Sequence, residues 1–120
     1  MKLRKSATRL TLCGLLALSF PALAQQPKKL PRIGYVTGAG PEGYSVEAFR
    51  QALRQLGYVE GKNIVVQYRY GEGDLSRLSQ LVSELVRLKA DILVITALPA
   101  IRAAKEATKR IPIVMVTNVD

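Results

Sequence analysis

Residues 91–96 read Asp-Ile-Leu-Val-Ile-Thr, and the residues between the two polar ends are all apolar. A strand without polar residues in its middle belongs inside a parallel sheet that helices cover on both faces. Residues 113–116, Ile-Val-Met-Val, have the same character. These two segments indicate an α/β protein, and the remainder of the chain is interpreted around them.

The rest of the chain alternates between the apolar periods of strands and helices. Strands are predicted at residues 32–37 and 63–70, and the second alternates polar with apolar residues, which is typical of a half-exposed edge strand. Three helices are predicted where apolar residues recur every three or four positions. Their inward residues are Val46, Phe49, Leu53 and Leu56, then Leu75, Leu78, Leu81, Val82, Leu85 and Leu88, and then Ala100, Ile101, Ala104 and Ala107.

The element order β-α-β-α-β-α-β predicts a doubly wound parallel sheet, because each connection is long enough for a right-handed crossover. The edge character of the second strand places it outside the first, with the third and fourth strands on the other side. Ser45, Asp74 and Pro99 are expected to start the helices, and Gly57 to end the first. In such a sheet ligands bind at the carboxyl ends of the strands, near the reversal of strand order.

Polar residues and glycines gather at those strand ends, and the third helix starts at the same edge, where its free N–H groups favour an anion. Tyr44, in the first loop, either stacks on a ligand or closes the loop. Polar residues also occur at strand ends simply because loops begin there. The prediction of a ligand site therefore rests on the sheet topology and not on any one of these residues. The predicted ligand-binding residues are Thr37, Gly38, Gly40, Tyr44, Thr96, Asn118 and Asp120.

The composition excludes several kinds of catalysis. Among 120 residues there is no His, no Trp and one Cys. The absence of His excludes Ser-His-Asp and Cys-His catalysis and imidazole metal sites, and one Cys makes neither an internal disulfide nor a Cys-cluster zinc site. We therefore expect neither a catalytic residue, a metal nor a cofactor. The acidic residues that the pattern places on the solvated surface are Glu47, Glu60, Glu84 and Glu106.

The N-terminus has the form of a secretory signal peptide. Residues 1–9 are basic without an acid, residues 10–20 are apolar, and Ala22 and Ala24 form an A-x-A cleavage site. Cleavage after Ala24 is expected, which places the protein in the periplasm. The alternatives are a membrane anchor, for which the apolar run is too short, and a lipoprotein signal at Cys13, which has too little apolar sequence before it.

Removal of the signal peptide changes the charge argument. The formal charge of +9 loses the four charges of Lys2, Arg4, Lys5 and Arg9 and becomes +5, without a basic block. A nucleic-acid partner needs a clustered basic face, so we do not expect one. Residues 25–31 are expected to form a flexible, Pro-flanked leader to an α/β domain at residues 32–120.

Residues 38–43, Gly-Ala-Gly-Pro-Glu-Gly, match the G-x-G-x-x-G pattern of dinucleotide-binding sites. That site also needs an acid about 20 residues further on, yet counting from Gly43 reaches Lys62 and Asn63. The apolar period of the helix begins only at Val46, beyond the third glycine. A glycine-rich ligand loop is therefore favoured over a nucleotide site.

Several segments together resemble a known family. They are residues 49–64 (FRQALRQLGYVEGKNI) followed by Tyr68-Arg69, residues 85–91 (LVRLKAD), residues 103–108 (AAKEAT) and residues 111–114 (IPIV). The chain resembles the extracytoplasmic substrate-binding proteins of ABC transporters, in the group of tryptophan- and tyrosine-type binding proteins. The resemblance covers nearly all of the expected mature chain, and residues 49–64 are its most specific part.

The resemblance implies the first lobe of a type I periplasmic-binding fold, in which two α/β lobes joined by a hinge close on a small ligand. It implies ligand contacts from residues 37–44, 96–99 and 118–120, and so adds Ala97 and Leu98 to the predicted site. The family often has Gly-Thr-Pro where this chain has Ala97-Leu98-Pro99, so a hydroxyl is lost there. The family also usually continues with Asp-Pro-Val and a second lobe, and this sequence ends at Asp120, which predicts an incomplete lobe.

The expected function is non-covalent binding of a small molecule, such as an amino acid or related carboxylate, and its delivery to a membrane permease. Backbone N–H groups and Thr or Asn side chains would orient the ligand. Two alternatives remain open at this point: a nucleotide-binding enzyme that uses residues 38–43, and a ligand-sensing module of a signalling protein.

Overall fold

The structure, a computed structural model, describes residues 29–116. The strands are β1 (Arg32–Thr37), β2 (Val65–Tyr70), β3 (Ile92–Ile95) and β4 (Ile113–Met115), and the helices are α1 (Tyr44–Gln55), α2 (Leu78–Arg87) and α3 (Leu98–Ala107), with a 3₁₀ turn at Leu75–Arg77. The predicted signal peptide, most of the predicted leader and residues 117–120 lie outside the described residues. Within residues 29–116, no helix combines the length and the apolar character that a membrane span requires.

The four strands form one parallel sheet in the order β2-β1-β3-β4, which is the predicted order. Tyr35 of β1 lies opposite Tyr68 of β2 on one side and Val94 of β3 on the other, and Val94 lies opposite Val114 of β4. Because side chains alternate between the faces of a strand, these residues share one face of the sheet. The reversal of strand order falls between β1 and β3, as expected.

Helices cover both faces, which confirms the doubly wound arrangement. On one face, α2 and α3 pack on the sheet through buried residues such as Leu78, Leu85 and Ile101, which meet Val36 and Ile95. On the other face, α1 places Val46 and Phe49 against Tyr35 and Val94. The two faces of β1 therefore contribute to two separate cores, and we call the second face the α1 face.

β4 is less buried than its sequence predicts. The apolar run 113–116 indicated a strand buried on both faces, but only Ile113 is partly buried, and Val114, Met115 and Val116 are exposed. β4 is the edge strand of the described sheet, and α1 packs over β1 and β2 rather than over β4. Within residues 29–116, apolar side chains of β4 are therefore left open to solvent.

The helix ends differ in detail from the predictions. The N-cap of α1 is Gly43, which makes no side-chain hydrogen bond, rather than Ser45; Tyr44 is the first helical residue. Leu56, which the apolar pattern placed on the inward face, is instead the C-cap. It lies after the last helical residue and is 74% exposed. Gly57 has a φ of +87°, a conformation that favours glycine, and this confirms it as the terminator.

The other two helices show similar differences. Asp74 caps the 3₁₀ turn as predicted, since its side chain accepts the Ser76 N–H. Because that turn precedes α2, Leu75 does not continue the buried face of the helix and stays exposed. α3 begins one residue before Pro99. The two remaining residues that the apolar pattern wrongly placed inside are Leu88, after the end of α2, and Ala107, at the end of α3.

Candidate functional site

A row of side chains crosses the carboxyl edge of the sheet on the α1 face. Thr37 lies opposite Tyr70 in the β1–β2 register. The Thr96 N–H donates to the Val36 carbonyl at 3.0 Å, and the Val116 N–H donates to the Ile95 carbonyl at 2.9 Å. The row therefore runs Tyr70, Thr37, Thr96, Val116, and the two threonines predicted for the site are neighbours.

Thr37 is 2% exposed, and its hydroxyl is already used inside the protein. Its Oγ1 accepts the Ala39 N–H at 3.2 Å, which fixes the start of the loop between β1 and α1. Thr96 is only partly buried. Of the two threonines, Thr96 therefore presents the more accessible side chain at this edge.

The β1–α1 loop is held by the loop that follows β2. The N–H groups of Gly71, Glu72 and Gly73 donate to the carbonyls of Thr37, Ala39 and Gly38 at 2.8, 3.2 and 2.9 Å, respectively. The backbones pass so closely that a Cβ on Gly71 would lie 3.2 Å from the Gly38 carbonyl oxygen. The predicted glycine loop is therefore a hydrogen-bonded part of the edge, tied through its carbonyls to the neighbouring loop.

The N-terminus of α3 reaches the same edge beside Gly38. Ala97 is the N-cap of α3. Its Cβ lies 3.6 Å from the position that a Cβ on Gly38 would occupy. Leu98, the first helical residue, is 60% exposed. The structure therefore brings together Thr37, Gly38, Thr96 and Ala97, and it places Leu98 on the rim.

A cavity of about 410 Å³ lies between the N-terminal half of α1 and the α1 face of the sheet. It begins where the β1–α1 loop enters the helix, and Tyr44, 89% exposed, stands at its side. Gly40 lies in the same loop and accepts the Gly43 N–H at 3.2 Å. The lining residues are Tyr35, Ala39, Gly43, Tyr44, Ser45, Ala48, Phe49 and Val116.

Tyr35 is the most unusual residue of this cavity. It is 1% exposed, yet its hydroxyl has no hydrogen-bond partner within the part of the chain that is described. Burial raises the pKa of this hydroxyl above the usual value of 10.0, and the nearby Ser45 side chain opposes the increase only in part. A polar group that is buried and unsatisfied is therefore next to Ser45, which lines the cavity.

Aromatic rings continue from Tyr35 towards the edge strand. The ring centroids of Tyr35 and Phe49 are 4.8 Å apart, those of Tyr35 and Tyr68 5.7 Å, and Tyr68 stacks on Tyr70 at 6.1 Å. The Arg50 guanidinium lies 4.6 Å above the Tyr68 ring. These contacts hold the inner wall of the cavity in a packed arrangement.

Three of the acidic residues that the sequence placed on the solvated surface make side-chain interactions within the protein. Glu60 accepts the Tyr68 hydroxyl at 2.7 Å. Glu84 pairs with Arg69 at 3.1 Å beside a second hollow of about 530 Å³ on the opposite face. Glu47 pairs with Arg54 at 3.1 Å. Among the described residues these carboxylates serve local ion pairs and hydrogen bonds, and none of the three pairs lines the cavity under α1.

The sequence interpretation missed the inner part of the cavity. Tyr35 lies in the predicted first strand and Ser45 at the predicted start of the first helix, and neither residue is among the predicted ligand-binding residues. One sequence pattern could have indicated this part of the cavity. Ser45 and Phe49 are four residues apart and so share one face of the helix, and Tyr35 lies on the face of β1 that α1 covers. Of the predicted site residues, Asn118 and Asp120 lie outside the described residues.

Comparison with known proteins identifies a family and one curated relative. The model of the family described as ABC transporter substrate binding protein matches residues 42–120. A protein named tyrosine-binding protein, from Clostridioides difficile strain R20291, is 32% identical over 74 residues, which are 62% of this chain and 21% of that protein. The chain thus spans about a fifth of the length of the curated relative.

Solved structures show the same fold. A ligand-free, open substrate-binding protein with adhesive properties from Clostridium difficile has a TM-score of 0.64 at 25% identity, covering 75% of this chain and 32% of that one. A conserved domain protein from Vibrio cholerae O1 biovar El Tor gives 0.64 at 30% identity, over 76% and 32%. An ABC domain in complex with L-Trp from Streptococcus pneumoniae gives 0.65 at 22% identity, over 76% and 32%, a likeness of fold alone. The expected fold class, part of an α/β lobe of the periplasmic-binding type, is confirmed.

Proposed function

The chain belongs to the ABC transporter substrate-binding protein family, and from this premise we propose that it is the extracytoplasmic solute-binding component of such a transporter. It captures a small molecule without changing it covalently and delivers it to a membrane permease. The protein is not an enzyme. The signal-peptide pattern supports this location, with cleavage after Ala24 and release into the periplasm.

The proposed ligand is an amino acid or a related carboxylate. The tyrosine-binding relative, 32% identical over 74 residues, supports an aromatic amino acid, L-tyrosine first. An amino acid carries a carboxylate, an ammonium group and a side chain, so its site needs groups that recognise both ends. The carboxyl edge offers different surroundings for those ends: the α3 N-terminus on one side of Thr96, and the apolar cavity on the other.

The ligand-binding residues proposed at this edge keep the roles predicted for them. The N–H groups at the start of α3, beyond Ala97, favour the carboxylate, because the helix dipole is positive there. The Thr96 hydroxyl orients the ligand, and Leu98 makes an apolar contact at the rim. The full proposed set is Thr37, Gly38, Gly40, Tyr44, Thr96, Ala97, Leu98, Asn118 and Asp120.

The observation that carries the proposal is the gathering of Thr37, Gly38, Thr96 and Ala97 at one end of a parallel sheet in a chain of this family. That end of an open α/β sheet is where ligands bind. A second lobe, implied by the resemblance, closes over the ligand and buries it. Closure supplies most of the buried area, because the described edge alone is open to solvent.

A ligand screen tests the proposal on the whole protein, purified without residues 1–24. We expect L-tyrosine to raise the melting temperature, because a ligand that binds only the folded state stabilises it by mass action. L-Lysine and glucose serve as matched negative ligands. A lack of stabilisation by every amino acid and small carboxylate tried would contradict the proposal, and so would flavin or nicotinamide retained through purification.

A further inference from the structure

We infer that Tyr35 is a specificity-determining residue, and that the cavity under α1 takes the ring of an aromatic amino acid that bears a ring hydroxyl. The Tyr35 hydroxyl would exchange a hydrogen bond with that ring hydroxyl. This inference rests on the proposed function, and it adds which residue selects the ligand and by which contact.

The unsatisfied hydroxyl is the first observation. Buried side-chain polar atoms nearly always have a partner, and leaving one without a partner costs free energy. The Tyr35 hydroxyl is such an atom, in a residue that is 1% exposed. A ligand hydroxyl both donates and accepts, so it satisfies Tyr35 whichever role Tyr35 takes. A phenyl ring without the hydroxyl leaves Tyr35 unsatisfied.

The character of the walls is the second observation. Three aromatic residues, Tyr35, Tyr44 and Phe49, line the cavity together with small residues, and none of the lining residues carries a charge. The ammonium and carboxylate groups of an amino acid are therefore disfavoured here, while a planar ring finds aromatic and methyl contacts. The volume of about 410 Å³ lies within the range of small-molecule sites.

The position of the cavity is the third observation. Tyr35 precedes Thr37 by two residues on β1, and Val116, next to Thr96 in the edge row, also lines the cavity. Two residues along a strand span about 7 Å, which is close to the length of a tyrosine side chain. A ligand whose ring enters the cavity therefore leaves its charged end at the carboxyl edge, beside Thr96.

Access to the hydroxyl requires a small adjustment. Ser45 lies beside Tyr35, and its side chain rotates about a single bond. Rotation of that one small side chain is the movement we assign to ligand entry. Helix α1 itself stays in place, because Val46 and Phe49 are packed against the sheet.

The test compares Tyr35→Phe with wild type on the whole mature protein, with L-tyrosine and L-phenylalanine as probes in isothermal titration calorimetry. The expected result is a loss of about tenfold in affinity for L-tyrosine, the size of one hydrogen bond, and a change of less than about twofold for L-phenylalanine. The matched control is Tyr58→Phe, in an exposed loop residue outside the cavity, which should change neither affinity.

The outcomes separate this inference from the proposed function. Tyr35→Phe should fold, because it removes an unsatisfied hydroxyl, and a melting curve without ligand checks this. Equal changes for both probes, or none, would overturn the inference and leave the proposed function standing. If wild type binds neither probe, both the inference and the proposed ligand class are overturned.

Discussion

The Asp91 carboxylate accepts the backbone N–H of Arg32 at 2.8 Å, and the Asp91 N–H donates to the Arg32 carbonyl at 2.8 Å. These two bonds join the start of β1 to the start of β3 at the amino edge of the sheet. The Arg32 guanidinium also donates to the carbonyl of Leu88, after α2, at 3.2 Å. The two strands that meet at the reversal of strand order are therefore pinned at the end opposite the candidate site.

Asp91→Ala should lower the free energy of unfolding by about 1 kcal/mol, because it removes a charge-assisted bond to the Arg32 N–H. Asp91→Asn keeps an acceptor and should cost less. Urea denaturation of the whole protein measures both changes, and Glu106→Ala, on an exposed α3 position, is the control. If Asp91→Ala and Glu106→Ala lower the free energy of unfolding equally, the hydrogen bond from the Arg32 N–H to Asp91 does not stabilise the junction of β1 and β3.

The strand order was predictable from the polarity of three segments. The half-polar residues 63–70 indicated an edge strand, and the apolar residues 91–96 indicated an inner one. The structure confirms both. Residues 113–116 are also apolar, but they form the outermost strand of the sheet within residues 29–116, and most of their side chains are exposed there. The composition of a strand does not say which element packs over it.

The candidate site was predictable only in outline. Topology brings strand ends together, and this is why Thr37 and Thr96 are neighbours as expected. The cavity under α1 depends on how Phe49 and Ser45 lie over Tyr35, and on a helix whose N-cap is Gly43 rather than Ser45. Those details come from side-chain packing across elements that are distant in sequence, and periodicity does not encode them.

Gly34→Ala should destabilise the protein by about 1–3 kcal/mol. A Cβ at this position would lie 2.9 Å from the terminal methyl groups of both Leu85 and Leu93, and both leucines are fully buried. Neither side chain can move without disturbing the core between the sheet and α2. Urea denaturation measures the effect.

The control for Gly34→Ala is Gly40→Ala, where a Cβ meets no atom within 4 Å. That substitution should change stability by less than about 0.5 kcal/mol, as for ordinary surface changes. Similar losses at the two positions would show that the close approach at Gly34 is not the cause.

Tyr68 should contribute to the loss of stability at high pH. Burial, with further help from Glu60, raises the pKa of Tyr68 from 10.0 to about 12. The folded state therefore favours the protonated phenol, so this contribution is complete below pH 10 and is lost as the pH rises through about 12. Tyr68→Phe should reduce the decline in stability between these pH values.

Urea denaturation at several alkaline pH values measures that decline, with Tyr58→Phe as the control because Tyr58 lies in an exposed loop. The difference between the two variants separates Tyr68 from every other group that titrates in the same range. An identical pH dependence in the two variants would show that the surroundings of Tyr68, its burial and its 2.7 Å hydrogen bond to Glu60 together, do not favour the protonated phenol.

Ala48→Leu should weaken binding of an aromatic amino acid by tenfold or more while leaving the fold intact. Ala48 lines the cavity from α1, and the residue is exposed to solvent rather than buried in the core. A larger side chain at this position therefore fills the cavity without entering the core. The control is Ala52→Leu, one turn further along the same helix and outside the lining. Calorimetric titration with L-tyrosine measures both affinities, and melting curves show that both variants are folded. If the two variants bind L-tyrosine equally, the ring of the ligand does not occupy this cavity; if only Ala48→Leu is impaired, the N-terminal half of α1 forms one wall of the binding site.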